Sequence, residues 1–112
     1  MPRHADLAAQ LLKEAADFFR VVARQNDSVT AQLLNNAAVY DKASALIAAQ
    51  PEGASDGKTH AAMASELLKE GAEFFRKLGE KNPPLNEQMA ENARVFEGIA
   101  DLVAANPLGV MD

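Results

Sequence analysis

The amino-acid sequence indicates an all-α protein, folded as an up-down bundle of four helices. Three observations favour this fold: apolar residues recur at spacings of three and four, β-branched residues are few, and the chain aligns with itself after a shift of half its length. We therefore predict a single helical domain over residues 1–112. It would consist of two tandem αα-hairpin repeats of 56 residues, repeat 1 (1–56) and repeat 2 (57–112), related by a pseudo-twofold axis.

The self-alignment needs no gap and leaves 22 of 56 positions identical. Its densest part places residues 10–20 over residues 66–76, where Leu-Leu-Lys-Glu and Phe-Phe-Arg occur in both copies. A match of that length indicates a tandem duplication of one structural unit. Because a single hairpin of this size cannot bury a wide apolar stripe, we expect the two copies to cover each other or a second chain. Exchange of helix pairs would then give a dimer.

The first helix of each repeat is predicted from a wide apolar stripe. In repeat 1 the stripe consists of two adjacent rows of side chains, Ala8, Leu11, Ala15, Phe18 and Val22 beside Leu12, Ala16, Phe19 and Ala23. This helix should end near Gln25, because Asn26 begins a turn. Asn26 and Asn82 are the predicted N-caps of the second helices. Thr59 or Asp56 should open the first helix of repeat 2.

The second helix of each repeat follows a heptad pattern, which is typical of helices that pack side by side. The pattern contains Val29, Leu33, Asn36, Tyr40, Ala43 and Ile47 in repeat 1, and Leu85, Met89, Asn92, Phe96, Ile99 and Val103 in repeat 2. A neighbouring row should widen the stripe: Gln32, Val39 and Leu46, matched by Gln88, Val95 and Leu102. Both helices should end before a proline, Pro51 or Pro107. The connection over residues 51–58 is expected to be short and flexible, and no strand is expected.

Composition excludes several classes of function. The chain has 11 basic and 16 acidic residues, a net charge of −5, and no cysteine. An acidic chain gains no attraction to a phosphate backbone or an anionic membrane, so we expect neither nucleic acid nor membrane among its partners. DNA binding by a helix pair ranks last for that reason. The apolar runs are too short to span a bilayer and the first residues lack a secretory signal, which favours the cytoplasm.

No catalytic or metal-binding pattern is found in the sequence. The chain has two histidines, but no Glu-x-x-His pair, glycine-rich phosphate loop or nucleophile motif. We therefore expect a protein that is not an enzyme and that uses no metal or cofactor. His4 and His60, which lie near the starts of the first helices, are interpreted as surface or capping residues.

Two asparagines occupy the middle of the heptad pattern, where apolar residues are expected. Asn36 and Asn92 allow two interpretations. As a register device, they would meet near the pseudo-twofold axis and hydrogen-bond each other in the core. As ligand-binding residues, they would form the polar floor of a pocket, with Gln32 and Gln88 one turn away.

Four basic residues that are unchanged between the repeats form a second candidate set. They are Lys13, Arg20, Lys69 and Arg76. Together they would supply positive charge for an anion. Acidic residues stand beside them at helical spacing, so the alternative is a set of ion pairs on a solvated helix surface.

Two functions agree with these features. The first is a small bundle that acts through protein contacts, as an adaptor, an inhibitor or a homo-oligomeric scaffold. The duplicated hairpin, the wide apolar stripe and the absence of catalytic groups favour it. The alternative is a protein that sequesters a small polar or anionic ligand, such as a nucleotide signal, without turnover. The four amides would then supply polar contacts and the four basic side chains the charge.

Overall fold

The computed structural model describes residues 2–25, 30–55 and 57–110, and four long helices account for most of them. They are α1 (His4–Gln25), α2 (Thr30–Ala49), α3 (His60–Lys81) and α4 (Asn86–Ala105). The shorter elements are two strands, β1 (Ala54–Ser55) and β2 (Lys58–Thr59), and a 3₁₀ turn, Pro83–Leu85. The predicted all-α fold is confirmed.

The four helices form two hairpins that face each other. α1 packs along α2 and α3 packs along α4, while α1 also contacts α3 and α4, and α2 contacts α3. The largest fully buried side chains are Leu12, Ile47, Leu68 and Val103, one from each helix. Alanine fills much of the remaining core, so the helix backbones can approach closely. The result is a helical bundle with one shared core.

The helix ends follow the local signals in the sequence. α1 ends at Gln25, and α2 and α4 end at Ala49 and Ala105, shortly before the two prolines that cannot continue a helix. Thr59 is the N-cap of α3, and its hydroxyl accepts a hydrogen bond from the Ala62 amide at 3.0 Å. The predicted N-cap Asn26 and the heptad residue Val29 lie outside the described residues.

Asn82 is not the N-cap of α4, contrary to the prediction. Its side-chain amide donates to the Leu78 carbonyl at 2.9 Å, and α4 begins only at Asn86. A side-chain N-cap bonds an amide two or three residues further on. Here the second residue on is Pro84, which has no N–H, and the Leu85 amide already donates to the Asn82 carbonyl at 2.8 Å. The two prolines therefore form a 3₁₀ turn between the helices.

The connection between the hairpins contains the two strands, so the expectation that no strand forms is wrong. Ala54 pairs with Thr59 and Ser55 with Lys58 in antiparallel register. Gly57 has φ of +81°, a conformation that side-chain-bearing residues rarely adopt. The Asp-Gly sequence at 56–57 is typical of a two-residue hairpin turn, and it was the signal for these strands.

Six aromatic rings form a cluster where the two hairpins meet. The rings belong to Phe18, Phe19, Tyr40, Phe74, Phe75 and Phe96. Neighbouring rings meet edge to face, with centroids between 4.9 and 6.3 Å apart. This aromatic cluster connects α1 to α3 and each of these helices to its hairpin partner.

Candidate functional site

Two grooves of similar composition lie beside the aromatic cluster. Groove A has a volume of about 270 Å³ and is lined among others by Glu14, Phe18, Phe75, Asn92, Val95 and Phe96. Groove B has a volume of about 340 Å³ and is lined among others by Phe19, Asn36, Val39, Tyr40, Glu70 and Phe74. Each groove therefore combines aromatic rings, a valine, an amide and a carboxylate. Glu73 and Lys77 add two further charges to groove B.

The two candidate asparagines line different grooves instead of meeting in the core. Asn36 lies in groove B and Asn92 in groove A, and both are partly exposed. No hydrogen bond joins them within the described residues. Ala37 and Ala93, each fully buried, take the core positions of the heptad pattern. The expected buried amide pair is therefore wrong. Alanine fits the same helical spacing as the asparagine before it. With the alanine in the core, the asparagine amide stays near solvent and is not desolvated.

The glutamines and their row lie at the surface. Gln32 and Gln88 are exposed, and so are Val39 and Val95, with 46% and 49% of their surface accessible. This row was expected to widen the buried stripe, but these four residues face outward beside the grooves, and only Leu46 and Leu102 at the end of the row are half-buried. Gln32 shares a third groove with Asn36, groove C, which has a volume of about 620 Å³ and lies between α2 and the ends of α1 and α3.

Three of the four candidate basic residues form ion pairs with a carboxylate on the other helix of the same hairpin. Arg76 donates two hydrogen bonds to Glu97, at 2.5 and 2.7 Å, and Arg20 is bonded to Asp41. Lys69 lies 3.4 Å from Asp101. Arg20 also meets Asp17 on its own helix at 3.2 Å, as helical spacing predicts.

These pairs between two helices of one hairpin were not predicted from the sequence, because only partners on the same helix were considered. The arginine bonds hold the pKa of the Glu97 carboxyl below its usual value. Hydrogen bonding to the acidic partner likewise raises the pKa of Arg76 and of Arg20. The fourth residue of the set, Lys13, is exposed on α1.

Both histidines are buried, so of the two interpretations, surface or capping, the surface one is wrong. The ring of His60 donates through Nδ1 to the Gln50 carbonyl at 2.8 Å, because a carbonyl only accepts, and its Nε2 lies 2.9 Å from Ser55 Oγ. The His60 amide donates to the Gly53 carbonyl at 2.9 Å. We name this contact, His60 with Gln50 and Gly53, latch 1.

A second latch forms around His4. Its Nδ1 donates to the Asn106 carbonyl at 2.8 Å, and its amide donates to the Gly109 carbonyl at 2.7 Å. Arg3 forms a β-bridge with Val110 beside it. His4 with Asn106 and Gly109 is latch 2, and it ties the start of α1 to the segment after α4.

The glycine of each latch is required by close packing. A Cβ atom on Gly53 would lie 2.8 Å from Cε1 of His60, and one on Gly109 would lie 2.7 Å from Cε1 of His4. Both distances are below van der Waals contact. A histidine that is unchanged between the repeats, near the start of the first helix of each, was the signal in the sequence for the latches.

Tyr40 carries a polar contact between the hairpins. Its hydroxyl donates to the Leu67 carbonyl of α3 at 2.6 Å. Burial raises the pKa of this hydroxyl, so it remains protonated and donates at any ordinary pH. The sequence marks Tyr40 as a core residue but contains no signal for this bond.

Within the described residues there is no group of three or more histidine, cysteine, aspartate or glutamate side chains placed to hold a metal ion. No helix in that part of the chain combines the length and the apolar character that crossing a bilayer requires. Comparison with protein families, with curated proteins and with solved structures found no match to this chain.

Proposed function

We propose that this protein is a non-enzymatic binding module that acts through protein contacts, and that its two halves are equivalent units. The observation that carries the proposal is the composition of grooves A and B. Each lining residue of groove A that was named above has a counterpart 56 positions away in groove B. The duplicated sequence thus supplies two binding surfaces of the same kind on one small bundle.

Contacts in the core support the equivalence of the halves. The rings of Phe19 and Tyr40 are 5.0 Å apart, and those of their counterparts Phe75 and Phe96 are 4.9 Å apart. The two latches use matching atoms, and the β-bridge of Arg3 with Val110 corresponds to the pair of Thr59 with Ala54. An approximate twofold axis between the hairpins accounts for all of these matches.

The chemistry of the grooves favours an amphipathic helix with basic residues as the partner. Val39 and Val95 are half-exposed apolar anchors beside aromatic rings, a combination that a partner's leucine or phenylalanine side chain would cover. Glu14 and Glu70 place carboxylates in the same grooves. With a net charge of −5 on the whole chain, basic residues of the partner would be attracted and acidic ones repelled.

Capture of a small polar ligand is the second candidate, because Asn36 and Asn92 open into the grooves. An anionic ligand is disfavoured. Arg20 and Arg76 already bond carboxylates, and an anion would have to break those pairs while lying near Glu14 or Glu70. Grooves A and B lie near the lower end of the usual volume of small-molecule sites, which suits single side chains of a protein partner, whereas groove C, which Asn36 also lines, is large enough at about 620 Å³ for a small ligand.

A peptide-display selection on the immobilised protein tests the proposal. We expect the selected peptides to be helical, amphipathic and basic, and to lose binding to the double variant Val39→Asp, Val95→Asp. The matched control is Leu34→Asp, since Leu34 is equally exposed on α2 at 46% but is not among the residues that line grooves A and B. Selection of acidic peptides, or binding that survives the double variant, would contradict the proposal.

A thermal-shift screen against nucleotides and other small metabolites tests the second candidate. A ligand that stabilises the protein should lose its effect in Asn36→Leu and Asn92→Leu, if the amides bind it. Stabilisation that the two variants leave unchanged would exclude the amides from the site.

A further inference from the structure

The ion pairs that span two helices in the described chain stay within one hairpin. Arg20 pairs with Asp41 inside the first hairpin, and Arg76 with Glu97 inside the second. The contacts between hairpins are of another kind: the edge-to-face rings of the aromatic cluster, the Tyr40 hydroxyl on the Leu67 carbonyl, and the two latches. Each hairpin therefore keeps its own polar pairs and offers the other a largely apolar surface.

The two latches differ in their distance from the covalent connection between the hairpins. Latch 1 lies where residues 54–59 link the hairpins directly. Latch 2 makes the same two bonds between His4 and Asn106 or Gly109, segments separated by more than a hundred residues of chain. The bond lengths to the histidine Nδ1 are 2.8 Å in both. A latch of this type consequently forms without a turn beside it.

The turn between β1 and β2 depends on a glycine. Gly57 has a positive φ, which glycine adopts freely and a side-chain-bearing residue rarely adopts. If the chain opens at this turn, the rings of Phe18 and Phe19 on one hairpin separate from those of Phe74 and Phe75 on the other.

We propose that a second copy of this chain is a binding partner for that surface, through reciprocal exchange of hairpins. In the exchanged dimer, α3 and α4 of one copy pack on α1 and α2 of the other, and both latches form between copies. Every contact between hairpins is then made twice, and two turns are opened. The closed monomer is favoured by the high effective concentration of linked hairpins, and the exchanged dimer by high protein concentration or a strained turn.

The turn can be altered in the full-length chain without touching the hairpins. In Gly57→Val, a β-branched residue must adopt a positive φ, so the closed monomer is strained and the dimer is not. Because exchange relieves the backbone strain of two valine-containing turns, it should lower the dimer dissociation constant by about a hundredfold, a factor of about ten for each turn. Gly98→Val is the matched control, because Gly98 lies in α4 with open space at its Cβ position and no positive φ, and its dissociation constant should stay unchanged.

A second variant removes residues 54–58 and keeps the Thr59 cap. Gly53 is then followed directly by Thr59, which leaves no room for the reversal, and we expect a fully helical dimer at every concentration. Light scattering measures the mass against the chain mass of 12.0 kDa, and circular dichroism measures the helix content.

Cleavage of the linker distinguishes exchange from side-by-side association. Limited digestion with a lysine-specific protease at Lys58, which is exposed beside the turn, allows both linkers of a Gly57→Val dimer to be cut without lengthening the turn. An exchanged dimer then separates into two closed bundles of one chain mass each, whereas a side-by-side dimer keeps its mass. The proposal is overturned by a dimer that survives cleavage, by a Gly57→Val chain that is monomeric at millimolar concentration, or by a deletion variant that unfolds.

Discussion

At the residue scale, the two latches show that a glycine is required where a larger residue would collide with a neighbouring ring. Gly53 and Gly109 leave space for the imidazole rings of His60 and His4, and the rings bond the carbonyls that follow α2 and α4. The sequence contains both members of each latch, but only their three-dimensional approach shows that they meet. The spacing of apolar residues does not predict a hydrogen bond between a histidine ring and a backbone carbonyl.

Gly53→Ala tests the close approach. Its Cβ would fall 2.8 Å from Cε1 of His60, so we expect a loss of about 1–3 kcal/mol in the free energy of unfolding. Gly98→Ala is the control and should gain about 0.5–1 kcal/mol, because it removes a flexible glycine from an exposed helix position. Urea denaturation followed by circular dichroism gives both values, and equal stability of Gly53→Ala and the wild type would show that the latch is loose.

The asparagines show where residue-scale prediction fails. Asn36 and Ala37 both fit the spacing of a buried helix face, and alanine contributes too little hydrophobicity to mark the correct one. The heptad pattern therefore identified the helix but placed the wrong residue in its core.

Asn36→Leu measures whether the amide has a structural role. Because the side chain is partly exposed and lines groove B, we expect the free energy of unfolding to change by no more than about 0.5 kcal/mol. Asn92→Leu should behave in the same way. A change above about 2 kcal/mol in either direction would point to a buried amide instead.

At the element scale, the helices could be predicted nearly to their ends, because prolines, caps and apolar spacing act locally. The stop at Gln25 and the cap at Thr59 are examples. The pairing between helices could not be predicted, since Arg76 and Glu97 are 21 positions apart and no local rule joins them. The Arg20–Asp41 and Arg76–Glu97 pairs each connect the two helices of one hairpin.

The Arg76–Glu97 pair should make stability depend on pH. The folded chain holds the pKa of Glu97 below the value of 4.5 of a free glutamate, so the pair stabilises the fold above that value and loses its effect as pH falls through the folded pKa. We expect Glu97→Gln to be less stable than the wild type at pH 7, and the difference to shrink in acid. Both side chains are about 40% exposed, which keeps the effect small. Thermal denaturation at several pH values measures it, and a difference that is constant with pH would contradict the assignment.

At the scale of the whole molecule, the alignment of the sequence with itself predicts two hairpins, and the structure adds that grooves lie beside the interface between them. The exposed row with Val39 and Val95 was expected in the core. Hydrophobic spacing alone cannot separate a buried row from an exposed row, because both contain apolar residues on one helix face. The grooves could therefore be identified only from the way in which the two hairpins pack together.

The stoichiometry of peptide binding, measured by isothermal titration calorimetry with a basic amphipathic helical peptide from the selection, tests the two-groove proposal most directly. We predict two bound peptides for each wild-type chain, one for Val39→Asp and one for Val95→Asp, and none for the double variant. A single bound peptide that neither substitution removes would contradict it.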